Sequence, residues 1–359
     1  WTYRVRLLHS ELGGAEAIGP ILIGISRIVN PDAVLWSFSA AAFFSYAALL
    51  ATREKKFLFA AALCTGFALL SKYTGSFLFP LFVVLSVGYF FFGCGQTETA
   101  SAYFRRTLKD FVLVLLGSLA AFAVFLPAVF VKPVLLWRGS LGFLDLNLLT
   151  PLGVLLGIVA LDTFFHHARG LERLASLFRA HLLPRIRFLF LVPFLFFGAV
   201  FAFGLGEQSV VPLERLMLSA REGDRLIFPL LEGQPALWQW LEELFVLAYP
   251  FVFSLPPLVL LLVLFSFGRL ALRGRSERRF ESLLALFVAF FAIAYFALAL
   301  SVGTQTNARY VIVLYPLFAF LAALGAGRAD RRPAWPLAGG LLLVAAVGVV
   351  LASSTSQIQ

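Results

Sequence analysis

Charge is scarce in this chain. Only 13% of its 359 residues are Asp, Glu, Lys or Arg, while 61% are hydrophobic and the mean hydropathy is +0.92. A soluble domain carries about 25% charged and roughly 45–50% apolar residues, so a soluble globular core is excluded. The apolar runs lack the period-2 alternation of an outer-membrane barrel, which leaves helices. Cysteine is rarer still: Cys64 and Cys94 have no CxxC spacing and read as structural. No Walker loop, no GxGxxG after a strand and no HExxH is present, so a soluble nucleotide-binding module is not expected. No repeat appears at a period of 20–50 residues. The chain starts at Trp1 without a signal-peptide pattern, and the expectation is an N-terminally incomplete protein.

What remains is a series of apolar runs, each approaching the ~20 residues a helix needs to cross a bilayer. They fall at 13–30, 33–51, 57–71, 75–93, 111–131, 148–165, 188–206, 246–267, 282–301, 310–327 and 336–352. The first and third are short and suit re-entrant or enclosed helices. The expected fold is therefore all-α: a polytopic transmembrane helical bundle of about 10–11 spans, reading as one domain over 1–359.

The net charge of +10 is placed as a topology signal rather than a nucleic-acid footprint. Arg53, Lys55 and Lys56, then Arg105, Arg106 and Lys109, then Arg169, Arg173, Arg179, Arg185 and Arg187 fill alternate loops. Arg269, Arg273, Arg275, Arg278 and Arg279, and finally Arg328, Arg331 and Arg332, continue the alternation. The positive-inside rule assigns these loops to the cytoplasm. The longest opposite loop, 207–245, is extracytoplasmic by the same count. Its first part sets Leu213, Leu216, Met217 and Ala220 on one helical face, an amphipathic pattern suited to the membrane surface. Its second part carries Trp238 and Trp240 at interface depth. The plainer reading of the loop is a packed cap with no catalytic role.

Few ionisable residues sit at the outer helix ends. Asp32 follows Pro31 at the head of a helix, where it either favours the helix dipole or does chemistry. Lys72, in the Ser71-Lys72-Tyr73-Thr74-Gly75 turn, runs against the positive-inside trend; it either snorkels to headgroups or binds an anion. Arg309 precedes Tyr310 in another short outer loop, and an Arg can grip phosphate with two parallel hydrogen bonds. The topology puts Asp32, Lys72 and Arg309 on one face, which suits chemistry on a lipid phosphate. Lys132, Arg138, Asp145 and Asn147 share an outer loop without a spacing signature. His166 and His167 read as structural, and Asp110 and Asp162 fall on the opposite face.

The Asn30-Pro31-Asp32 helix head, the basic turn after it and the 60–74 stretch ending in Leu70-Ser71-Lys72-Tyr73-Thr74 resemble the GT-C membrane glycosyltransferases. The likeness is to the dolichyl-phosphate-mannose protein mannosyltransferase and aminoarabinose transferase branch, glycosyltransferase family 39. Ala308-Arg309-Tyr310 with Tyr315-Pro316 is similar to that branch's late Arg-Tyr segment. The likeness runs over roughly residues 10–325.

The resemblance implies an enzyme of the bacterial inner membrane with its active site on the extracytoplasmic face. It would move a sugar, with inversion, from a polyprenyl-phosphate donor to a lipid, glycan or protein acceptor. Asp32 would match an acidic active-site position, Lys72 and Arg309 donor-phosphate contacts, and Tyr73, Tyr310 and Asp145 substrate contacts. The family's principal acid lies in a first outer loop that this chain does not display; Glu11 and Glu16 fall near the cytoplasmic side. Some relatives use a divalent cation, for which no ligand cluster is evident here. A polymerase or ligase of lipid-linked polysaccharide shares the many spans and outer arginines. A non-enzymatic transporter would instead show broken helices and midplane polar groups.

Overall fold

The computed structural model describes residues 31–94, 98–136, 146–206, 255–272, 279–301 and 314–326, with Leu244, Ala248, Phe251 and Val252 between them. Among these residues the chain is helical throughout, with no strand. Among the described residues, four helical stretches are long and apolar enough to cross a membrane: Val34–Thr52, Tyr73–Phe91, Ala100–Phe125 and Phe280–Ala297. The expected spans at 13–30 and 336–352, and the 207–245 loop apart from Leu244, lie outside the described residues.

The chain divides into two compact units. The first contains residues 22–186 and 274–287. Its helices are α1 (Pro31–Thr52), α2 (Lys55–Ser71), α3 (Leu78–Phe91), α4 (Ala100–Phe125), α5 (Leu146–Phe165) and α6 (Arg169–Leu177). α1 and α2 form an antiparallel hairpin. Arg53, between them, adopts the left-handed conformation (φ 63°) that a helix C-terminus usually reserves for glycine. Its N–H closes the last turn on the Leu49 carbonyl at 2.9 Å.

The short α2, expected to be re-entrant or enclosed, is packed on two sides. Ala61, Ala62, Thr65, Gly66, Ala68 and Leu69 are buried, and α2 packs against both α1 and α4. The seam with α4 is made of small residues in parallel register. A Cβ on Gly66 would stand 2.7 Å from the Ala121 Cβ and 2.9 Å from the Ser118 carbonyl oxygen. A Cβ on Gly117 would stand 2.9 Å from the Ala62 Cβ. Small residues four apart on both helices let the backbones approach, the device used between helices in lipid.

α4 shows why the chain looks apolar on every side. Tyr103, Phe104, Thr107, Phe111, Val114, Ser118 and Phe122 face inward, while Val112, Leu113, Leu116 and Val124 are exposed. An apolar stripe outside as well as inside suits hydrocarbon. Sequence periodicity placed this span at 111–131, but the helix begins at Ala100, where the Thr99 hydroxyl caps the Ala102 N–H at 3.3 Å. Arg105, Arg106 and Lys109 therefore sit on the helix's first turns, not in a loop. Arg169–Leu177, likewise read as loop, is α6.

The second unit contains residues 187–273 and 288–359. Its helices are α7 (Leu191–Gly206), α8 (Pro257–Leu272), the later part of α9 (Arg279–Ser301) and α10 (Tyr315–Ala326). Its core is aromatic. Phe318 meets Phe197 and Phe251 edge-on, at centroid distances of 5.0 and 4.7 Å. Geometry of this kind adds to simple burial. α8 and α10 touch at Gly325, where a Cβ would lie 2.6 Å from the Leu262 carbonyl oxygen, and the Ser266 hydroxyl donates to the Leu321 carbonyl at 2.7 Å. The expected 246–267 span is corrected at its end: α8 begins at Pro257, because Pro256 and Pro257 lack the N–H that would continue an earlier helix. It runs on to Leu272, so Arg269 is helical and buried rather than in a loop.

Candidate functional site

Two ends of the first unit carry its polar chemistry. The antiparallel α1–α2 hairpin brings the head of α1, with Pro31 and Asp32, to the same end as the Ser71–Lys72 terminus of α2. Because α4 runs parallel to α2, its last residue joins them: the Phe67 ring lies 5.0 Å from Phe125 and 4.9 Å from Phe38.

The Lys72 turn is built tightly. α2 stops because Lys72 turns extended (φ −163°, ψ 139°) while its N–H still reaches the Ala68 carbonyl at 3.0 Å. A 3₁₀ turn, Tyr73–Phe77, follows at once. Gly75 lies against the backbone it has just left: a Cβ there would stand 2.8 Å from the Ala68 carbonyl carbon. Its N–H donates to the Lys72 carbonyl at 2.9 Å. The glycine of the Lys-Tyr-Thr-Gly sequence is thus a close-approach residue, and it folds the turn so that Tyr73 stands 49% exposed.

Two polar atoms at this end are buried without a hydrogen-bond partner: the Trp36 indole nitrogen Nε1, one turn after Asp32, and the Thr74 hydroxyl. Buried polar atoms are nearly always satisfied, so such atoms mark places where something polar belongs. The sequence reading did not single out either, since neither residue type is unusual at a helix end.

No family model matches the chain, and no curated protein or solved structure does. The site therefore rests on its own geometry. The structure brings the α1 head that contains Asp32 and the Lys72–Tyr73 turn to one end. Arg309, Tyr310 and Asp145 lie outside the described residues, and of Asp32 the structure describes the backbone position alone. Among the described residues no three His, Cys, Asp or Glu side chains gather to hold a metal ion.

The opposite end holds a cluster that sequence spacing could not foretell. Glu98 Oε1 accepts from both Arg53 and Arg106, residues 45 and 8 positions away. Arg106 also lies over the Tyr103 ring at 5.6 Å. The Tyr103 hydroxyl donates to the Ser86 carbonyl at 2.7 Å, and the Ser86 and Tyr46 hydroxyls meet at 2.8 Å. Each of these residues has an internal partner, as suits architecture, although Glu98 Oε2 and the neighbouring Thr107 hydroxyl are buried without one. Asp162 is structural as well: its carboxylate accepts from the Gly170 and Leu171 N–H groups at 3.2 and 2.8 Å and so caps α6.

Proposed function

We propose that the chain is a membrane glycosyltransferase that takes a sugar from a polyprenyl-phosphate donor and works at the Lys72 end of its first unit. One observation carries the reading. A basic turn, an acidic helix head and two unsatisfied buried polar atoms occur together at one end of a lipid-suited helical bundle. A lipid-linked phosphate is the substrate such an end can receive without leaving the bilayer.

In the proposed transfer the bond from the sugar's anomeric carbon to the phosphate oxygen breaks. The phosphate departs with the electron pair, and the acceptor hydroxyl oxygen bonds to the opposite side of that carbon. Charge grows on the phosphate as the sugar leaves, and a preorganised ammonium such as Lys72 stabilises it more than it stabilises the donor at rest. Asp32 receives or orients the proton of the acceptor hydroxyl. Tyr73 supplies an exposed ring and hydroxyl for the sugar.

The test is binding and turnover of a polyprenyl-phosphate sugar by the reconstituted chain. Lys72→Ala should weaken donor binding by ~10–150-fold, because a charge-assisted contact to phosphate contributes about 1.5–3 kcal/mol. Lys56→Ala, on the opposite end, should leave binding unchanged. Asp32→Asn should lower transfer while donor binding persists. Equal donor binding by Lys72→Ala and the parent chain would overturn the assignment.

A further inference from the structure

The nine-residue α6 follows α5 at the end of the first unit where α3 closes and α4 opens. It packs against α5, α4 and α3, and at one end of them. Phe178, just past its terminus, meets Phe91 and Phe92 at the close of α3, both at 5.6 Å. Arg179 stands over the Phe90 ring at 5.8 Å. The ends of membrane-suited helices lie near the headgroup level, so α6 is placed close to it.

Its circumference divides into three sectors. Leu171 and Ala175 are buried against the bundle. Beside them, Leu174 and Leu177 are 56% and 55% exposed, an apolar flank left open among the described residues. The remaining sector is polar, with Arg169, Glu172, Arg173 and Ser176 lining a shallow recess of about 190 Å³. From His166 to Phe188 the chain has five arginines and a single acid, Glu172. An apolar flank beside an arginine-rich one is the pattern of a helix seated at the headgroup–acyl boundary.

We infer that α6 and the turns after it form a binding surface for anionic phospholipid. Leu174 and Leu177 enter the acyl layer, and Arg169 and Arg173 hold headgroup phosphates. The charge selects the occupant, since a zwitterionic headgroup offers no net attraction to arginines, whereas an anionic leaflet does. The inference stands apart from the proposed transfer, as it concerns the opposite end of the unit.

The full chain, purified in neutral detergent, would be titrated with a soluble short-chain phosphatidylglycerol and with its phosphatidylcholine counterpart. Backbone hydrogen exchange would be followed in nanodiscs of phosphatidylcholine alone or mixed with phosphatidylglycerol. Tighter phosphatidylglycerol binding, with slower exchange over 169–177 in the mixed discs, is expected. Each arginine near an anionic surface contributes roughly fivefold, so Arg169→Gln with Arg173→Gln should weaken phosphatidylglycerol binding about 25-fold. Leu174→Ser with Leu177→Ser should raise exchange in both kinds of disc. Equal affinity for the two lipids would overturn the proposal. So would an equal loss in a Lys55→Gln, Lys56→Gln chain, which would disperse the effect over the whole basic rim, or full competition by inorganic phosphate.

Discussion

The two ends of the first unit spend their polar groups differently. At the basic end, Arg53 and Arg106 share one Glu98 oxygen, Arg106 also covers an aromatic ring, and tyrosine and serine hydroxyls close on each other. At the Lys72 end, backbone hydrogen bonds and a glycine contact hold the turn, while Trp36 Nε1 and the Thr74 hydroxyl are buried and unsatisfied. The lesson is that the two ends are built by different means. The basic end is tied together by side chains, with Glu98 Oε2 and the Thr107 hydroxyl left buried and unpartnered there too, whereas the Lys72 end is held by backbone contacts.

The largest test of this contrast strikes the seam that places the Lys72 turn. Gly66→Val should cost about 3 kcal/mol of stability, since the Cβ alone collides with Ala121 and Ser118 and the helices must separate. Equilibrium unfolding in mixed micelles measures it, and an unchanged midpoint would mean that the seam is loose. Gly75→Ala should cost somewhat less, about 1–3 kcal/mol, because only the turn must shift away from the Ala68 backbone. It should also lower donor affinity, and a change in stability without any change in donor binding would separate the turn from the site.

Glu98→Gln sharpens the other side of the comparison. Arg53, Arg106 and Glu98 are partly exposed, at 42%, 27% and 21% of their side chains. The loss should therefore be about 1 kcal/mol and should shrink in high salt. Donor binding should not move; a drop at constant stability would mean that the two ends are not independent. The smallest effect belongs to Thr99→Ala. It removes an exposed 3.3 Å cap and should cost about 0.5–1 kcal/mol, read as faster hydrogen exchange in the first turn of α4.

Helices whose ends coincide with the ends of apolar runs were legible from the sequence. Expected spans at 33–51 and 57–71 correspond to Pro31–Thr52 and Lys55–Ser71, and the common end of Asp32 and Lys72 follows from that hairpin. Periodicity failed where a helix carries charge. Residues 100–110 and 169–177 were read as loops because their arginines signal topology, yet a Thr99 cap and an Asp162 cap start helices there. Glu98 was invisible because its partner Arg53 is distant in sequence and meets it only after folding. Trp36 and Thr74 were missed for a related reason: whether a polar atom finds a partner is decided by packing. Gly75, by contrast, stood in a quoted motif, and the structure supplies its physical role.

The parallel α2–α4 seam also sets a depth gauge. Gly66 meets Ala121 and Ala62 approaches Gly117, so the two helices can change their relative height only by jumping a full turn, about 5.4 Å. Sliding by less would push a methyl group into a backbone. The elevation of the Lys72 turn is therefore indexed to the end of α4 and not to the thickness of the surrounding bilayer. Lipids that thin or swell the membrane tilt or submerge the pair as one body, and a group arriving along the acyl layer meets the turn at an unvarying position on it.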